Sequence, residues 1–432
     1  MSDPQEQAVS ERMRADWNER AREDAHYYVA FGGRGQNEAA FDATAADVLP
    51  SLEHELKRFP KNANRRAWRA LEIGCGPGRL MKPMSRHFGE IHGVDVSDEM
   101  IRLGRERLAH IPHAHLHTTN GASLNIFADE SFDFIYSYAV FQHVPSREVV
   151  LEYMREIRRV LKPCGIFLGQ FNGIPPADGT TTWSGVAFSA ADIRQFTREN
   201  GFQLLELVGE NTQYMWTSWR LPERDAKQPD LAVTVIHRIT NACSWEPVIP
   251  NRGRAAAIAV WVTNLPAGCD LNTLDVRIDG ASGIPYYIGP SSPEGFRQVN
   301  VWLPEAVRTG LLSVELYCGG TRLGESGQIR VIPAGPPIPR IIDITDGINL
   351  VKKYRSTSGS LKVHIEELTS PDDVSASIAG RPVPLSILRT DPRPPRYELN
   401  IELPKRLSPG PHTLQIHIGP RRMLTANIVV GS

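Results

Sequence analysis

Apolar residues recur at helical spacing in the first part of the chain and predict two amphipathic helices with charged outer faces. The apolar positions of the first helix are Trp17, Ala21, Ala25 and Tyr28. Those of the second helix are Phe41, Ala45, Val48, Leu52 and Leu56. Phe31-Gly32-Gly33 interrupts the pattern between them. Because large aromatic side chains mostly serve burial, those in this region are expected to pack on the next domain, or to form a helical lid over a ligand.

Between residues 71 and 219, short apolar runs alternate with helical patterns. The predicted strands are 71–73, 91–96, 115–118, 132–137, 165–171, 204–208 and 212–219, and the predicted helices are 80–87, 100–108, 147–161 and 190–200. Ser97 is a suitable N-cap for the second of these helices, and Gly201 suits the end of the last. Such alternation with short loops predicts an α/β fold, with a mostly parallel seven-stranded sheet and helices on both faces.

Beyond Pro222 the pattern changes to short alternating runs with turn residues every ten or so positions. The clearest runs are 258–262, 274–278, 299–302 and 312–316. A polar linker, 223–230, precedes them, and a Pro/Gly linker, 333–339, separates them from a second all-β region. This texture is typical of antiparallel β-sandwiches.

The two all-β regions resemble each other at an offset of about 100 residues. The matching pairs are Ile278-Asp279-Gly280 with Ile378-Ala379-Gly380, Leu303-Pro304 with Leu403-Pro404, 310–316 with 410–416, and Ile239-Thr240 with Ile344-Thr345. The predicted domains are therefore 1–228, with the helical lid at its N-terminus, and two tandem sandwiches at 229–335 and 336–432.

Charge and cysteine content exclude several classes of function. The chain has 48 Lys and Arg residues against 49 Asp and Glu residues, so it carries no bulk positive charge for a nucleic-acid partner. Five scattered cysteines without a Cys-x-x-Cys motif argue against a metal site, while one bridge among Cys243, Cys269 and Cys318 stays open. The polar N-terminus and the lack of a membrane-length apolar run lead us to expect a cytoplasmic protein.

A glycine-rich turn follows the first predicted strand and precedes a helix. It reads Gly74-Cys75-Gly76-Pro77-Gly78. Alternate glycines let the backbone approach a ligand, and the N–H groups of the following helix favour an anionic group, so the turn predicts a nucleotide-like ligand. The third glycine comes early for a dinucleotide fingerprint, which argues against a nicotinamide oxidoreductase. The tighter turn suits a ligand with an amino-acid moiety.

Four stretches of the chain, taken in order, resemble the motifs of the class I S-adenosylmethionine-dependent methyltransferases. The resemblance is to the type 11-like domain of that class. The four stretches are 71–78, 94–100, 131–145 and 160–166. The resemblance covers residues 15–219, about half of the chain, and implies a Rossmann-like fold with S-adenosyl-L-methionine as the cofactor. The two C-terminal regions resemble bacterial immunoglobulin-like (TIG-like) repeats.

The resemblance implies a set of cofactor-binding residues. They are Glu72, Gly74, Cys75, Gly76, Gly78, Asp95, Val96, Met100, Asn120, Gly121, Ala122 and Tyr138. Asp95 ends the second strand, where a carboxylate can accept both ribose hydroxyls, although an acid there can also complement the next helix N-terminus. Met100 and Val96 are placed to sandwich the adenine. Gly121 stands about where the family often has an Asp, so Asn120 or the Ala122 backbone is expected to substitute.

Methyl transfer needs mainly the alignment of nucleophile, methyl and sulfur, and an oxygen nucleophile also benefits from a general base. His143 is the candidate base, with a structural histidine as the alternative. Candidate substrate residues are Tyr28, Trp183 and Tyr214.

The expected partner is a small-molecule, glycan-like or lipid-linked acceptor, with no nucleic acid, no metal and no membrane span. The sandwiches are open to protein or glycan contacts. The alternative function is a binding or scaffold protein that senses S-adenosylmethionine or has lost activity, because immunoglobulin-like modules carry no chemistry of their own.

Overall fold

The computed structural model describes residues 4–30, 34–60, 64–176, 179–223, 233–347, 353–392, 395–420 and 422–431. Its helices are α1 Pro4–Ala30, α2 Glu38–Ala43, α3 Leu49–Glu55, α4 Met81–Met84, α5 Asp98–Arg107, α6 Arg147–Val160 and α7 Ala190–Glu199. The first strands are β1 Arg69–Ile73, β2 Glu90–Asp95, β3 Ala114–Thr118, β4 Phe132–Ser137, β5 Leu161–Phe171, β6 Gln203–Val208 and β7 Met215–Arg220. We call α1 to β7 the N-terminal unit.

Nineteen further strands follow among the described residues, and they form two β units. The first β unit contains β8 Val235–Asn241, β9 Val248–Pro250, β10 Ala257–Thr263, β11 Leu274–Ile278, β12 Ala281–Ser282, β13 Ile284–Ile288, β14 Arg297–Trp302, β15 Gly310–Cys318, β16 Thr321–Arg322 and β17 Gly327–Ile332. The second β unit contains β18 Arg340–Asp346, β19 Arg355–Ser356, β20 Ser360–Glu366, β21 Val374–Ile378, β22 Arg381–Val383, β23 Leu385–Pro392, β24 Pro395–Glu402, β25 Gly410–Ile418 and β26 Arg422–Val430.

The N-terminal sheet has the strand order β3-β2-β1-β4-β5-β7-β6. β1 to β5 pair in parallel, and β7 runs antiparallel to both of its neighbours. Helices α6 and α7 bury residues such as Ile157 and Ile193 on one face, while α4 and α5 bury Met84 and Ile101 on the other. The structure therefore confirms the predicted mostly parallel seven-stranded sheet with helices on both faces.

Two predicted helices are shorter than the sequence suggested. The region 41–56 is divided into α2, a 3₁₀ turn over Thr44–Asp47, and α3. Pro50 lies in the first turn of α3, where its missing N–H costs nothing, but it cannot continue a preceding helix. The predicted helix 80–87 is reduced to α4 and a 3₁₀ turn. The predicted break at Phe31-Gly32-Gly33 lies outside the described residues.

The first β unit extends the N-terminal sheet. β13 pairs with β6 through Tyr287 and Glu206, and the sheet continues as β13-β14-β10-β8, giving eleven strands. One apolar cluster includes Trp219 of β7 and Ile258 of β10, so the two units also share a core. A second sheet, β12-β11-β15-β17-β9, packs on this extension. The predicted boundary at 228/229 lies outside the described residues.

The second β unit repeats the strand order of the first. Its sheets are β18-β20-β24-β23 and β19-β26-β25-β21-β22, which match β8-β10-β14-β13 and β9-β17-β15-β11-β12. Ile278 and Ile378, paired by the sequence, are both fully buried on the matching strands β11 and β21. This common order supports the predicted tandem repeat, while the immunoglobulin-like class stays a prediction. The predicted boundary at 335/336 falls between β17 and β18.

A disulfide joins Cys269 to Cys318 in the first β unit, with their Cα atoms 6.0 Å apart. It is the bridge that the sequence had left open among three cysteines, and Cys243 keeps a free thiol. Among the described residues, no helix is both long and apolar enough to cross a membrane.

A buried salt bridge and its hydrogen bonds connect the N-terminal unit to the first β unit. Arg58 Nε lies 2.7 Å from Glu55 Oε2, and Arg58 Nη1 donates to the Ile288 carbonyl at 2.5 Å. Ser218 Oγ also donates to Glu55 Oε2, at 2.6 Å. Burial raises the pKa of the nearby Glu206 to about 7. Because Arg58 and Glu55 are almost fully enclosed, each charge depends on the other.

We expect Arg58→Leu to destabilise the whole chain, because it leaves the Glu55 carboxylate buried without its partner. Removing one member of a buried pair costs about 3–5 kcal/mol. Urea unfolding of the full chain, followed by tryptophan fluorescence, measures the shift of the midpoint. Arg308→Ala is the matched control, since the Arg308–Asp279 pair is exposed and such pairs contribute little. Equal midpoints for the two variants would contradict the assigned role.

Candidate functional site

The glycine turn adopts the backbone conformation that the sequence predicted. Gly74, Gly76 and Gly78 have φ angles of +69°, +50° and +78°, which L side chains rarely adopt. A Cβ at Gly74 would lie 2.3 Å from Val140 Cγ2. The N–H groups of Gly74 and Cys75 both donate to the Val94 carbonyl of β2, at 2.8 and 3.0 Å. The turn is therefore held over the ends of β1 and β2.

Asp95 joins this turn to the next helix. Its Oδ2 accepts from the Gly76 N–H and its Oδ1 from the Ser97 N–H, each at 2.9 Å. Burial raises the pKa of Asp95, although the N–H groups of Ser97 and Gly76 oppose the shift. Ser97 caps α5 as predicted, by accepting from the Met100 N–H at 3.1 Å. The acid thus supports the helix start, as in the alternative interpretation, while one side of it faces a cleft.

That cleft, which we call the cofactor cleft, encloses about 860 Å³ together with the adjoining solvent space. It lies over the carboxyl ends of β1, β2 and β4. Its lining brings together eleven predicted site residues: Tyr28, Glu72, Gly74, Cys75, Gly76, Asp95, Val96, Met100, Gly121, Tyr138 and His143. These residues come from distant parts of the chain, and the parallel sheet gathers them at one edge, where ligands of such folds bind.

Helix α1 covers the cofactor cleft. Trp17, Tyr28 and Met13 line it from above. Asn18 Oδ1 docks the helix by accepting from Ser97 Oγ at 2.8 Å and from the Glu99 N–H at 3.1 Å. Helix α1 therefore lies where the lid was predicted. Met13 was missed, although it lies one helical turn before Trp17, and that spacing is the signal that could have found it.

Three predicted cofactor residues, Gly78, Asn120 and Ala122, lie off the lining of the cleft. A Cβ at Gly78 would come within 2.6 Å of Leu108 Cδ1, so this glycine lets the turn pack on α5. Asn120 is exposed, and its Oδ1 accepts from the N–H groups of Ala122 and Ser123, at 3.1 and 2.9 Å. Asn120 and Ala122 therefore build a turn. Of residues 120–122, only Gly121 lines the cleft.

Glu72 forms part of the floor of the cleft and is buried. Tyr136, which the sequence analysis had treated only as a strand residue, donates its hydroxyl to Glu72 Oε2 at 3.0 Å. Burial raises the pKa of Glu72 to about 8 in spite of this hydrogen bond. The side chain is therefore mostly protonated at neutral pH when the cleft holds no ligand.

His143 is held on two sides. Its Nδ1 lies 2.8 Å from the Trp183 carbonyl, to which it donates, and its Nε2 lies 3.3 Å from Gln142 Nε2, from which it accepts. The rings of Trp17 and Trp183 are each 5.4 Å away. Burial lowers the pKa of His143 to about 4. The ring is therefore neutral at physiological pH, with its proton on Nδ1.

The predicted substrate residues Trp183 and Tyr214 line a neighbouring cleft, which encloses about 1110 Å³ together with the adjoining solvent space. His143 lines both clefts. The Tyr214 ring lies 6.4 Å from that of Tyr138, and the Trp183 ring lies 6.0 Å from that of Tyr28. Tyr28 itself belongs to the cofactor cleft. The two clefts therefore meet along a wall of aromatic rings.

Residues 71–169 match the model of a protein family described as a methyltransferase domain. This part of the N-terminal unit is therefore similar to a methyltransferase domain, and we use that name for the unit below. The matched family supports S-adenosylmethionine as the cofactor, and the lining fits it. The Asp95 carboxylate suits ribose hydroxyls, Val96 and Met100 offer apolar surface for a base, and Gly74 and Gly76 permit close approach of the backbone.

The N-terminal unit is similar to several known methyltransferases. The demethylmenaquinone methyltransferase of Staphylococcus haemolyticus is 34% identical over 105 residues, covering 23% of this chain and 41% of that protein. The enzyme of the same name from Staphylococcus aureus is 32% identical over 127 residues, covering 28% of this chain and 51% of that protein. The chain thus spans about half or less of the curated relatives that it matches. The solved structure of a magnesium protoporphyrin IX methyltransferase from Synechocystis, with bound SAM, is 16% identical with a TM-score of 0.38. The similarity covers 49% of this chain and 97% of that chain.

We expect Asp95→Ala to weaken S-adenosylmethionine binding by about tenfold or more, because it removes a charge-assisted acceptor and releases the Gly76 N–H. Isothermal titration calorimetry measures the dissociation constant. Asp98→Ala is the matched control, since Asp98 is an exposed acid three residues further on, in the first turn of α5. Equal affinities for both variants would contradict the role of Asp95.

The raised pKa of Glu72 also predicts a pH dependence of stability. The pKa is about 8 in the folded protein against an ordinary value of 4.5, so the folded state holds a proton that the unfolded state releases. This contribution is complete below the ordinary pKa and is lost as the pH rises through about 8. Glutamine imitates the protonated acid at every pH. We therefore expect the melting temperature of Glu72→Gln, relative to that of wild type, to rise as the pH increases from 5.5 to 8.5 in the absence of cofactor. A difference that does not change with pH would contradict the assignment.

Proposed function

We propose that the chain is an S-adenosylmethionine-dependent methyltransferase that acts on a small-molecule acceptor. The observation that carries this proposal is the cofactor cleft, in which the Gly74 and Gly76 backbone, the Asp95 carboxylate and Met100 converge beneath α1. The curated relatives support it, because demethylmenaquinone methyltransferases act on a small molecule. As finer statements, we propose that the two β units are immunoglobulin-like and that the enzyme works in the cytoplasm.

The residues of the cleft divide the work of binding. Asp95 accepts hydrogen bonds from the ribose hydroxyls, and Val96 and Met100 flank the adenine. Glu72 and Tyr138 lie on the side where the amino-acid part belongs. When bound, the cofactor supplies an activated methyl group. Trp17 and Met13 of α1 exclude water above it, which strengthens the polar contacts below.

We further propose that His143 positions the wall between the two clefts and does not act as a general base. Both of its ring nitrogens are engaged, and its pKa of about 4 makes it a weak proton acceptor near neutral pH. A buried amide chain supports it: Gln170 Nε2 donates to Gln142 Oε1 at 3.2 Å, and the Ala139 N–H donates to Gln170 Oε1 at 2.9 Å. Alignment of the acceptor then supplies most of the rate.

Replacement of His143 by Gln tests this role. A general base contributes about 10²–10⁴-fold to the rate. We expect His143→Gln to lower the rate of methyl transfer by less than about tenfold, well below that range, and to leave its pH dependence unchanged. The measurement is the rate from pH 5.5 to 9 with saturating cofactor. A loss above a hundredfold, together with the disappearance of one limb of the pH profile, would instead identify His143 as the base.

Methyl transfer itself is tested with cofactor labelled in the methyl group. The full chain is incubated with a cell extract, and label is followed into small molecules, lipids and macromolecules. We expect label in the small-molecule pool, and clearly less with Asp95→Ala at a cofactor concentration near the wild-type dissociation constant. Cofactor binding without transfer into any pool would favour the sensor or scaffold alternative.

A further inference from the structure

The neighbouring cleft, which we call the interunit cleft, lies between the methyltransferase domain and the second β unit. Trp183 and Tyr214 form one wall. Lys362 on β20, Leu388 on β23 and Glu398 on β24 form the opposite wall. A β unit more than 140 residues away along the chain therefore completes a cavity that begins at His143.

The opposite wall is a regular face of one sheet. β20, β24 and β23 are adjacent, and Glu398 stands directly opposite both His364 and Leu388. The alternate residues, such as Val363 and Leu399, are fully buried in the core of the unit. Period-two alternation thus turns a row of polar and apolar side chains toward the methyltransferase domain. Leu388 is 39% exposed and belongs to this face.

The charges of this wall cancel. Glu398 Oε1 lies 3.2 Å from Lys362 Nζ, and Glu398 Oε2 lies 3.3 Å from His364 Nε2. Burial alone would raise the pKa of Glu398, but the hydrogen bond of His364 and the charge of Lys362 hold it at about 2. Within the described lining, Lys362 is the one Lys or Arg side chain, and it is already paired. The cleft therefore offers no spare cation to a phosphate or carboxylate.

The remaining lining combines aromatic faces with hydrogen-bonding groups. Ser184 and Gln213 contribute a hydroxyl and an amide, which both donate and accept, while the Asn172 amide is already bonded to the Ile174 backbone. The rings of Trp183 and Tyr214 offer flat apolar surface beside them. This mixture suits a ring that carries many hydroxyls on its edge and C–H groups on its faces. It does not suit a long hydrocarbon tail, which would leave the charged pair and the amides desolvated.

We propose that the interunit cleft is the acceptor site and that it takes a neutral, polyhydroxylated acceptor of the sugar class, held between the methyltransferase domain and the second β unit. This inference rests on the proposed function. The acceptor lies next to the cofactor cleft because His143 lines both cavities. The second β unit then selects the acceptor, while the methyltransferase domain supplies the reaction.

The matched variants Leu388→Trp and Met423→Trp test the site. Leu388 lines the cleft, whereas Met423 is a comparably exposed apolar residue on β26, in the other sheet of the same unit. We expect Leu388→Trp to lower labelled methyl transfer into the extract at least tenfold while cofactor affinity stays within twofold. Met423→Trp should change neither. Full transfer by Leu388→Trp would overturn the site, and wild-type protein that binds no cofactor would overturn the proposed function instead.

The acceptor class is tested by ligand-observed NMR on the full chain saturated with S-adenosylhomocysteine. The probes are the methyl glycosides of glucose, mannose and rhamnose, with menadione as the quinone comparison. We expect saturation transfer to at least one glycoside, lost in Leu388→Trp and kept in Met423→Trp. Binding of menadione without any glycoside, or of no probe at all, would overturn the sugar class. Glycoside binding that survives Leu388→Trp would place the sugar elsewhere.

Discussion

The hydrogen bond from the Gly76 N–H to Asp95 Oδ2 connects most of the parts of the candidate site. It holds the glycine turn against the end of β2, and the same carboxylate accepts from Ser97, which begins α5. Ser97 in turn donates to Asn18 of α1. The turn, the helix that follows β2 and the lid are therefore linked through one acid. Its burial makes these bonds strong, since an unpaired carboxylate there would be costly.

A second constraint sets the position of the β units. The N-terminal sheet does not end at β6 but continues into β13, and the two units share an apolar core. The Arg58–Glu55 pair adds a directional contact, because the arginine also donates to the Ile288 carbonyl. An antiparallel strand covers an edge that would otherwise expose unpaired backbone groups. The first β unit therefore serves as a fixed extension of the N-terminal unit.

The second β unit presents the face of β20, β24 and β23 to the region beyond β4 and β5. The N-terminal unit and this face together enclose the interunit cleft. Under the proposed function, the β units, which have no chemistry of their own, contribute to the site by shaping the space beside His143. Recognition of the proposed acceptor is then separate in the chain from binding of the cofactor.

Local patterns in the sequence were enough to predict the alternation of strands and helices, the glycine turn, the Ser97 cap and the repeat of the β units. Apolar periodicity and turn chemistry act over a few residues, and parallel strands bring their carboxyl ends to one edge whatever the details. That is why Glu72, Asp95 and Tyr138 were expected together, and all three line the cofactor cleft.

Only the tertiary structure decided that Gly78 packs on Leu108, that Asn120 faces solvent, and that Cys269 pairs with Cys318. It also decided that the sheet continues through Glu206 and Tyr287 and that Leu388 and Glu398 face the methyltransferase domain. Such contacts join residues far apart in the chain, and they depend on how whole units pack, which no local pattern records.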